Sequence, residues 1–177
     1  MSERSNAVRA SAMDASLFYQ LLLGELNVQD GDPGAGYSLL LDAARKTNDP
    51  DLYQRAVTVA VQSRAGEAAL QAARAWMQAQ PESREAKRTT LQLMLALNRL
   101  SDVGALLASE LAATPLRDRA GIIAAIPRGF MRVTDKKMAA RVVEQALADH
   151  LNRKETGAAA WVAIGRMRAM AGETAGA

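Results

Sequence analysis

Residues 81–115 read PESREAKRTTLQLMLALNRLSDVGALLASELAATP, and the prolines that bound this stretch stand 34 residues apart. Between them, Leu91 and Met94 fall at helical spacing in the first half, Leu107 stands in the second, and Ser101 or Asp102 supplies a side-chain oxygen suited to starting a helix. The spacing predicts one helix over about Ser83 to Asn98. A second begins at Ser101 or Asp102 and ends before Pro115, since proline cannot continue a helix. Each bounding proline thus closes the second helix of a pair. A pair of helices at a fixed period of this length is the mark of a repeat architecture.

Working outward, breakers cut the rest of the chain into similar pieces. Gly31-Asp32-Pro33-Gly34 ends a helix over about Ser16 to Asn27, and the next covers about Ala35 to Lys46. Asn48-Asp49-Pro50 closes that one and opens another, with Asp49 as N-cap and Pro50 in the favoured first-turn position. This third helix runs to about Ser63, Ala65-Gly66 is a minimal turn, and a fourth reaches Gln80. Beyond Pro115 the reading gives helices over about Leu116 to Met131, Thr134 or Asp135 to His150, and Thr156 to Met170. Pro127 is expected to kink or end the first of these three. No stretch carries the period-two alternation of a strand. Residues 1–14 are polar and small and are read as a disordered lead-in, which leaves 15–177 as the helical domain.

Composition agrees and excludes several classes. Hydrophobic residues make up 49%, too many for a disordered chain, while aromatics are 4% and alanine does much of the apolar work. Without cysteine, disulfides and thiolate metal sites are excluded. No apolar run reaches the roughly 18 residues of a membrane-spanning helix, and the N-terminus lacks the apolar middle of a signal peptide. The net charge of +3 is too small an excess to mark a nucleic-acid module by itself.

The pairs can be tested against the 34-residue pattern W-x2-L-G-x2-Y, A-x3-F, P. The last helix fits best, with Trp161, Ile164 and Gly165 in their slots. The first pair offers Leu23-Gly24, then Gly36 and Leu40. The second offers Tyr53, Ala56 and Val57, then Ala69, Ala73 and Pro81. The third has Lys87 in the Trp slot. The fourth has Ala139, Val143 and Ala146, but Pro127-Arg128-Gly129 interrupts its first helix. The small slots let two backbones approach closely, and the large ones fill the space beside them. On these residues the chain resembles the tetratricopeptide superfamily from about Ser16 onward. The resemblance implies an all-α fold, an α-solenoid of about four antiparallel helical hairpins plus a final helix, wound as a right-handed superhelix.

More narrowly, residues 17–26 and 42–50 look like the start of exported tetratricopeptide proteins of Gram-negative bacteria, some of which hold a processing protease near its substrates. That likeness implies the periplasm or the outer membrane, with the cytoplasm as the alternative. The final helix resembles the first half of a repeat, so the native protein is expected to continue, or this end to be covered by another chain.

Candidate chemistry is sparse. The single His150 is read as a helix C-terminal residue interacting with the dipole, with no second His or Cys to form a dyad or metal cluster. Residues 31–36 lack the Gly-Lys-Ser/Thr ending of a phosphate loop and are read as a turn. No enzyme activity, metal or cofactor is expected. Trp76, Trp161 and the methionines are read as core residues. Arg128, Arg132, Lys136, Lys137 and Arg141 form a basic cluster. It is read first as a solvated face, next as a seat for an acidic protein or lipid headgroups, and last as a nucleic-acid site, since only Phe130 is near for stacking.

Function then rests on the surface. The first helices of such hairpins line a concave groove, whose inner face here would carry Phe18, Leu21, Glu25, Gln54, Thr58, Gln62, Arg88, Gln92, Leu95, Arg128, Arg132, Arg166 and Met170. The expected partner-contacting residues are Gln54, Thr58, Arg88, Gln92, Arg128 and Arg132, and the expected partner is a protein: a peptide or helix lying in the groove. Self-association through exposed terminal helices stands beside it. The runner-up is a helical-repeat module that binds nucleic acid or an anionic surface through Arg128 to Arg141.

Overall fold

Aspartate and proline punctuate the chain where the sequence puts them. Asp32 Oδ1 accepts from the Ala35 N–H at 3.0 Å, and Asp49 Oδ1 accepts from the Asp51 N–H at 2.9 Å. Pro33 and Pro50 take the first turns of the helices that follow, where a missing N–H costs nothing. Asp135 Oδ1 caps a later helix by accepting from the Met138 N–H at 2.9 Å. Five helix exits share a left-handed residue: Gly31, Asn48, Arg64, Asn98 and Gly172 have positive φ. Glycine and asparagine tolerate this conformation best, and it lets the chain leave one helix and enter the next within a few residues.

The structure, a computed structural model, describes residues 2–173, with side-chain positions from Ala15 to Glu173. The described residues form α1 (Ser2–Gln29), α2 (Pro33–Thr47), α3 (Pro50–Gln62), α4 (Gly66–Ala79), α5 (Arg84–Ala96), α6 (Leu100–Ala113), α7 (Leu116–Gly129), α8 (Lys136–Leu147), a 3₁₀ turn (Ala148–His150) and α9 (Gly157–Met170). No strand occurs among them. The fold is all-α, with helices packed consecutively in the manner of a helical repeat. The expected lead-in over 1–14 falls outside the residues whose side chains are described, as does the sequence after Glu173. No described helix is long and apolar enough to cross a membrane.

The chain divides into two units at Thr90/Leu91, inside α5. In the first, α1 packs on α2, α2 on α3, and α3 on α4, and α2 also meets α4. The α1–α2 crossing is close. A Cβ built on Gly36 would lie 2.4 Å from Val28 Cγ2 and 2.7 Å from the Gly24 carbonyl oxygen. Only glycine fits there, the steric role expected of the small slots. Ala43, Ala44, Ala56, Ala60, Ala69, Ala72 and Ala73 are buried along the same contacts, and Leu40, Tyr53, Val59 and Trp76 fill the space between. The Trp76 indole N–H donates to Gln80 Oε1 at 3.1 Å, and Gln80 Nε2 donates to the Asn48 carbonyl at 2.6 Å.

In the second unit α6 packs on α8, α7 on α9, and α8 on α9. Its buried residues include Val103, Leu111, Ile123, Phe130, Val143, Leu147, Ala160, Ala163, Ile164 and Met167. Pro127 lies in the last turn of α7, which stops two residues later at Gly129 with Phe130 as C-cap. The ring removes one backbone donor and obstructs the preceding turn, and the helix does not outlast it.

Two expectations need correction. Trp161 is 59% exposed, because α9 turns Gly157, Ala160, Ala163, Ile164 and Met167 inward and Trp161 away from them. Among the methionines, Met94 and Met167 are buried, but Met131 and Met138 are exposed.

Candidate functional site

At the end of α7 four apolar side chains turn inward: Ile126, Pro127, Phe130 and Val133. Burying these forces the residues between them, Arg128, Gly129, Met131 and Arg132, to the surface. The α7 end is then fixed from the following element. Lys136 Nζ donates to the Phe130 carbonyl at 2.9 Å and to the Met131 carbonyl, satisfying groups that the helix leaves without partners.

This end of α7 faces the part of α5 that belongs to the second unit. Gln92, Leu95 and Ala96 of α5, with Gly129, Arg132 and Val133, line an open cleft of about 420 Å³. The approach does not depend on glycine at 129, since a Cβ there would lie 3.8 Å from Leu95 Cδ1, in ordinary contact. The cleft has an aliphatic side of Leu95, Ala96 and Val133 and two polar side chains, Gln92 and Arg132. It therefore offers a guanidinium fork, an amide with both donors and an acceptor, and apolar area. Among the described residues, none that lines it is acidic.

Of the expected contact residues, Gln92 and Arg132 thus meet in one cleft, and Arg128 is exposed one turn before Arg132. Gln54, Thr58 and Arg88 belong to the first unit. Gln54 is exposed and donates to Glu85 Oε1 at 3.2 Å. Thr58 is half-buried, and its hydroxyl donates back to the Gln54 carbonyl at 2.8 Å. Arg88 is exposed on α5.

The structure adds residues that slot mapping overlooked. Glu25, expected on the groove face, is engaged by Arg55: Nε donates to Oε1 at 2.8 Å and the terminal nitrogen to Oε2 at 2.6 Å. This bidentate bond, followed by desolvation acting the other way, leaves the Glu25 carboxyl below its ordinary range. Leu95 was placed on the face, but Ala96, Gly129 and Val133 were not. Their only sequence signal is the Pro127-Arg128-Gly129 interruption, which marks a helix end without saying what it faces.

Three members of the basic cluster have different surroundings. Arg132 lines the α5–α7 cleft, Lys136 is folded onto carbonyls, and Arg141 lines a separate cleft of about 610 Å³ on α8 with Met138 and Glu144. Nearby, Arg119 caps α6 by donating to the Thr114 and Ala112 carbonyls at 2.7 and 2.9 Å, and Arg168 pairs with Glu144. His150, expected at a helix end in contact with the dipole, is instead buried, with Nδ1 3.3 Å from Thr156 Oγ1.

No protein-family model and no curated protein matches the chain.

Proposed function

We propose that this protein is a non-catalytic scaffold of the tetratricopeptide kind, built of antiparallel helical hairpins, that binds a protein partner on the face formed by the first helix of each pair. The consecutive packing of α1 to α4 in the first unit, and the next-but-one contacts of α6 with α8 and α7 with α9 in the second, support the repeat reading. The glycine-only crossing of α1 and α2 supports it from the side of sequence.

One observation carries the functional half. Gln92 and Arg132, from separate elements, converge on a single cleft beside exposed aliphatic area. Neither is needed for packing, since both are exposed, so both are available for recognition. The occupant that fits is an extended segment with a carboxylate for Arg132, backbone groups for Gln92 and a small aliphatic side chain for Leu95, Ala96 and Val133. In the first unit, Gln54, Thr58 and Arg88 form the corresponding surface.

The test is site-specific photo-crosslinking. A photo-reactive side chain at position 92 should capture a partner from an extract of the source organism, and Arg132→Ala should abolish that capture. The same group at Gln78, exposed on α4, should capture nothing. Equal capture at both positions, untouched by Arg132→Ala, would refute the cleft as the binding site.

A further inference from the structure

The chain has two phenylalanines and three tyrosines. Phe130 and Tyr53 are buried, and Tyr37 is half-buried with its hydroxyl donating to the Ala68 carbonyl at 2.9 Å. Phe18 and Tyr19 are the exceptions: they stand side by side on α1, 68% and 61% exposed. Leu22 and Leu26 follow one and two turns later and are also exposed. With exposed Ala15 and Gln29 they make one face of the helix, because steps of three and four residues return to the same side. At 3.6 residues per turn this face lies opposite Gly24, through which α1 crosses Leu40 and Gly36 of α2. Packing within the first unit therefore uses one side of α1 and leaves an apolar side uncovered.

Electrostatics narrow what can cover it. From Ala15 to Gln29 the only charged residue is Glu25, and Arg55 holds it through both carboxylate oxygens. An acidic or basic partner finds no free counter-charge there, and the stretch has no Lys or Arg to meet lipid headgroups. A neutral face can meet its own copy without like-charge repulsion. Area points the same way. With about 200 Å² for an aromatic side chain as the measure, the four large residues leave roughly 400 Å² open, and two such faces roughly 800 Å². Ala15 and Gln29, at the two ends of the face, bring the total toward the ~1,200 Å² at which specific interfaces begin.

We propose that two copies of this protein pair through the Phe18–Leu26 face of α1, with the helices antiparallel and Leu22 at the two-fold axis. A two-fold contact is self-complementary: residue i of one copy meets residue j of the other, and j meets i. Centred on Leu22, the pairing sets Phe18 of each copy against Leu26 of the other, and Ala15 against Gln29. A large ring meets a smaller aliphatic side chain at each end, and the helix dipoles oppose. Parallel pairing would set ring on ring and align the dipoles. The contact uses no residue of the α5–α7 cleft and holds whatever partner that cleft takes.

Sedimentation equilibrium on the tag-free chain over about 5–500 μM should show a reversible monomer–dimer equilibrium, as expected of a small interface. Leu22→Glu and Leu22→Lys each put like charges across the axis and should raise the dissociation constant at least about tenfold. Leu22 is exposed in the single copy, so helix content and the unfolding midpoint in dilute solution should hold. Mixing the two variants should restore dimers, because opposite charges then face each other. The chain has no cysteine, so single substitutions read the register. Leu22→Cys should oxidise to a linked dimer, and Phe18→Cys should link to Leu26→Cys in a mixture but poorly to itself. Arg132→Ala should leave the dimer intact. The proposal is overturned by a chain that stays monomeric at the highest concentration, by a dimer that neither charge variant weakens, or by a mixture of the two that stays monomeric. Self-linking at position 18 as fast as at position 22 would overturn the antiparallel register. Attachment of monomers to vesicles of neutral phospholipid, lost in Leu22→Glu, would give the face to lipid instead.

Discussion

Replacing Gly36 by alanine should weaken the first unit although alanine is the better helix former. The added methyl would meet Val28 Cγ2 at 2.4 Å and the Gly24 carbonyl oxygen at 2.7 Å, both closer than real Cβ contacts. Val28 is β-branched and has little rotamer freedom on a helix, and the carbonyl moves only if α1 moves. Overpacking of this kind costs about 1–3 kcal/mol, and the backbone obstacle places Gly36 at the upper end. The gain in helix propensity returns up to about 1 kcal/mol, leaving a net loss of about 1–2 kcal/mol. Gly121 and Gly165, inside α7 and α9, provide the contrast, since a Cβ at either would meet nothing within 4 Å. There the propensity gain is unopposed, and each substitution should stabilise by about 0.5–1 kcal/mol. Urea unfolding followed by Trp76 fluorescence in a Trp161→Phe background measures the Gly36→Ala effect, because Trp76 is buried in the same unit. Circular dichroism measures the other two. A Gly36→Ala midpoint equal to or above wild type would show that α1 and α2 do not cross at this distance.

The two tryptophans should behave oppositely: Trp76→Ala should cost about 3–5 kcal/mol, and Trp161→Ala no more than about 0.5 kcal/mol, by the same denaturation assay. The Glu25–Arg55 tie should make the first unit acid-sensitive. With the folded carboxyl pKa held below 4.5, its contribution is present above that pH and disappears as pH falls through the folded value. Both side chains are 36% exposed, so Glu25→Gln should remove no more than about 1 kcal/mol at neutral pH and reduce the acid dependence of the unfolding midpoint. The double variant Arg128→Ala, Arg132→Ala should weaken the cleft's partner by about 1.4–3 kcal/mol, tenfold to a hundredfold, with an unchanged unfolding curve. Unchanged affinity by calorimetry would place the partner elsewhere.

Local chemistry is what the sequence by itself determined here. Asp49-Pro50 was suited to starting a helix, Pro127 to kinking or ending one, and the breakers set helix limits to within a few residues of those observed, except that α1 begins at Ser2, well before the expected Ser16. Glycine at positions 24 and 36 announced a close crossing, because no other residue makes that spacing useful. The exposed polar positions Gln92, Arg128 and Arg132 were legible for the same reason, since helical period separates the residues that share a face. Period does not say which face another helix covers. Trp161 sits in a large-residue slot and is exposed, because the inward side of α9 is the alanine-rich one. Arg55 finds Glu25 thirty positions away in sequence, Lys136 and Arg119 are spent on helix-end carbonyls, and His150 is buried in contact with the Thr156 hydroxyl. The first depends on elements distant in sequence, the others span only five to seven positions across helix ends, and a long cation can pair, cap or reach solvent from the same helix position. Only the packed neighbours choose among those outcomes.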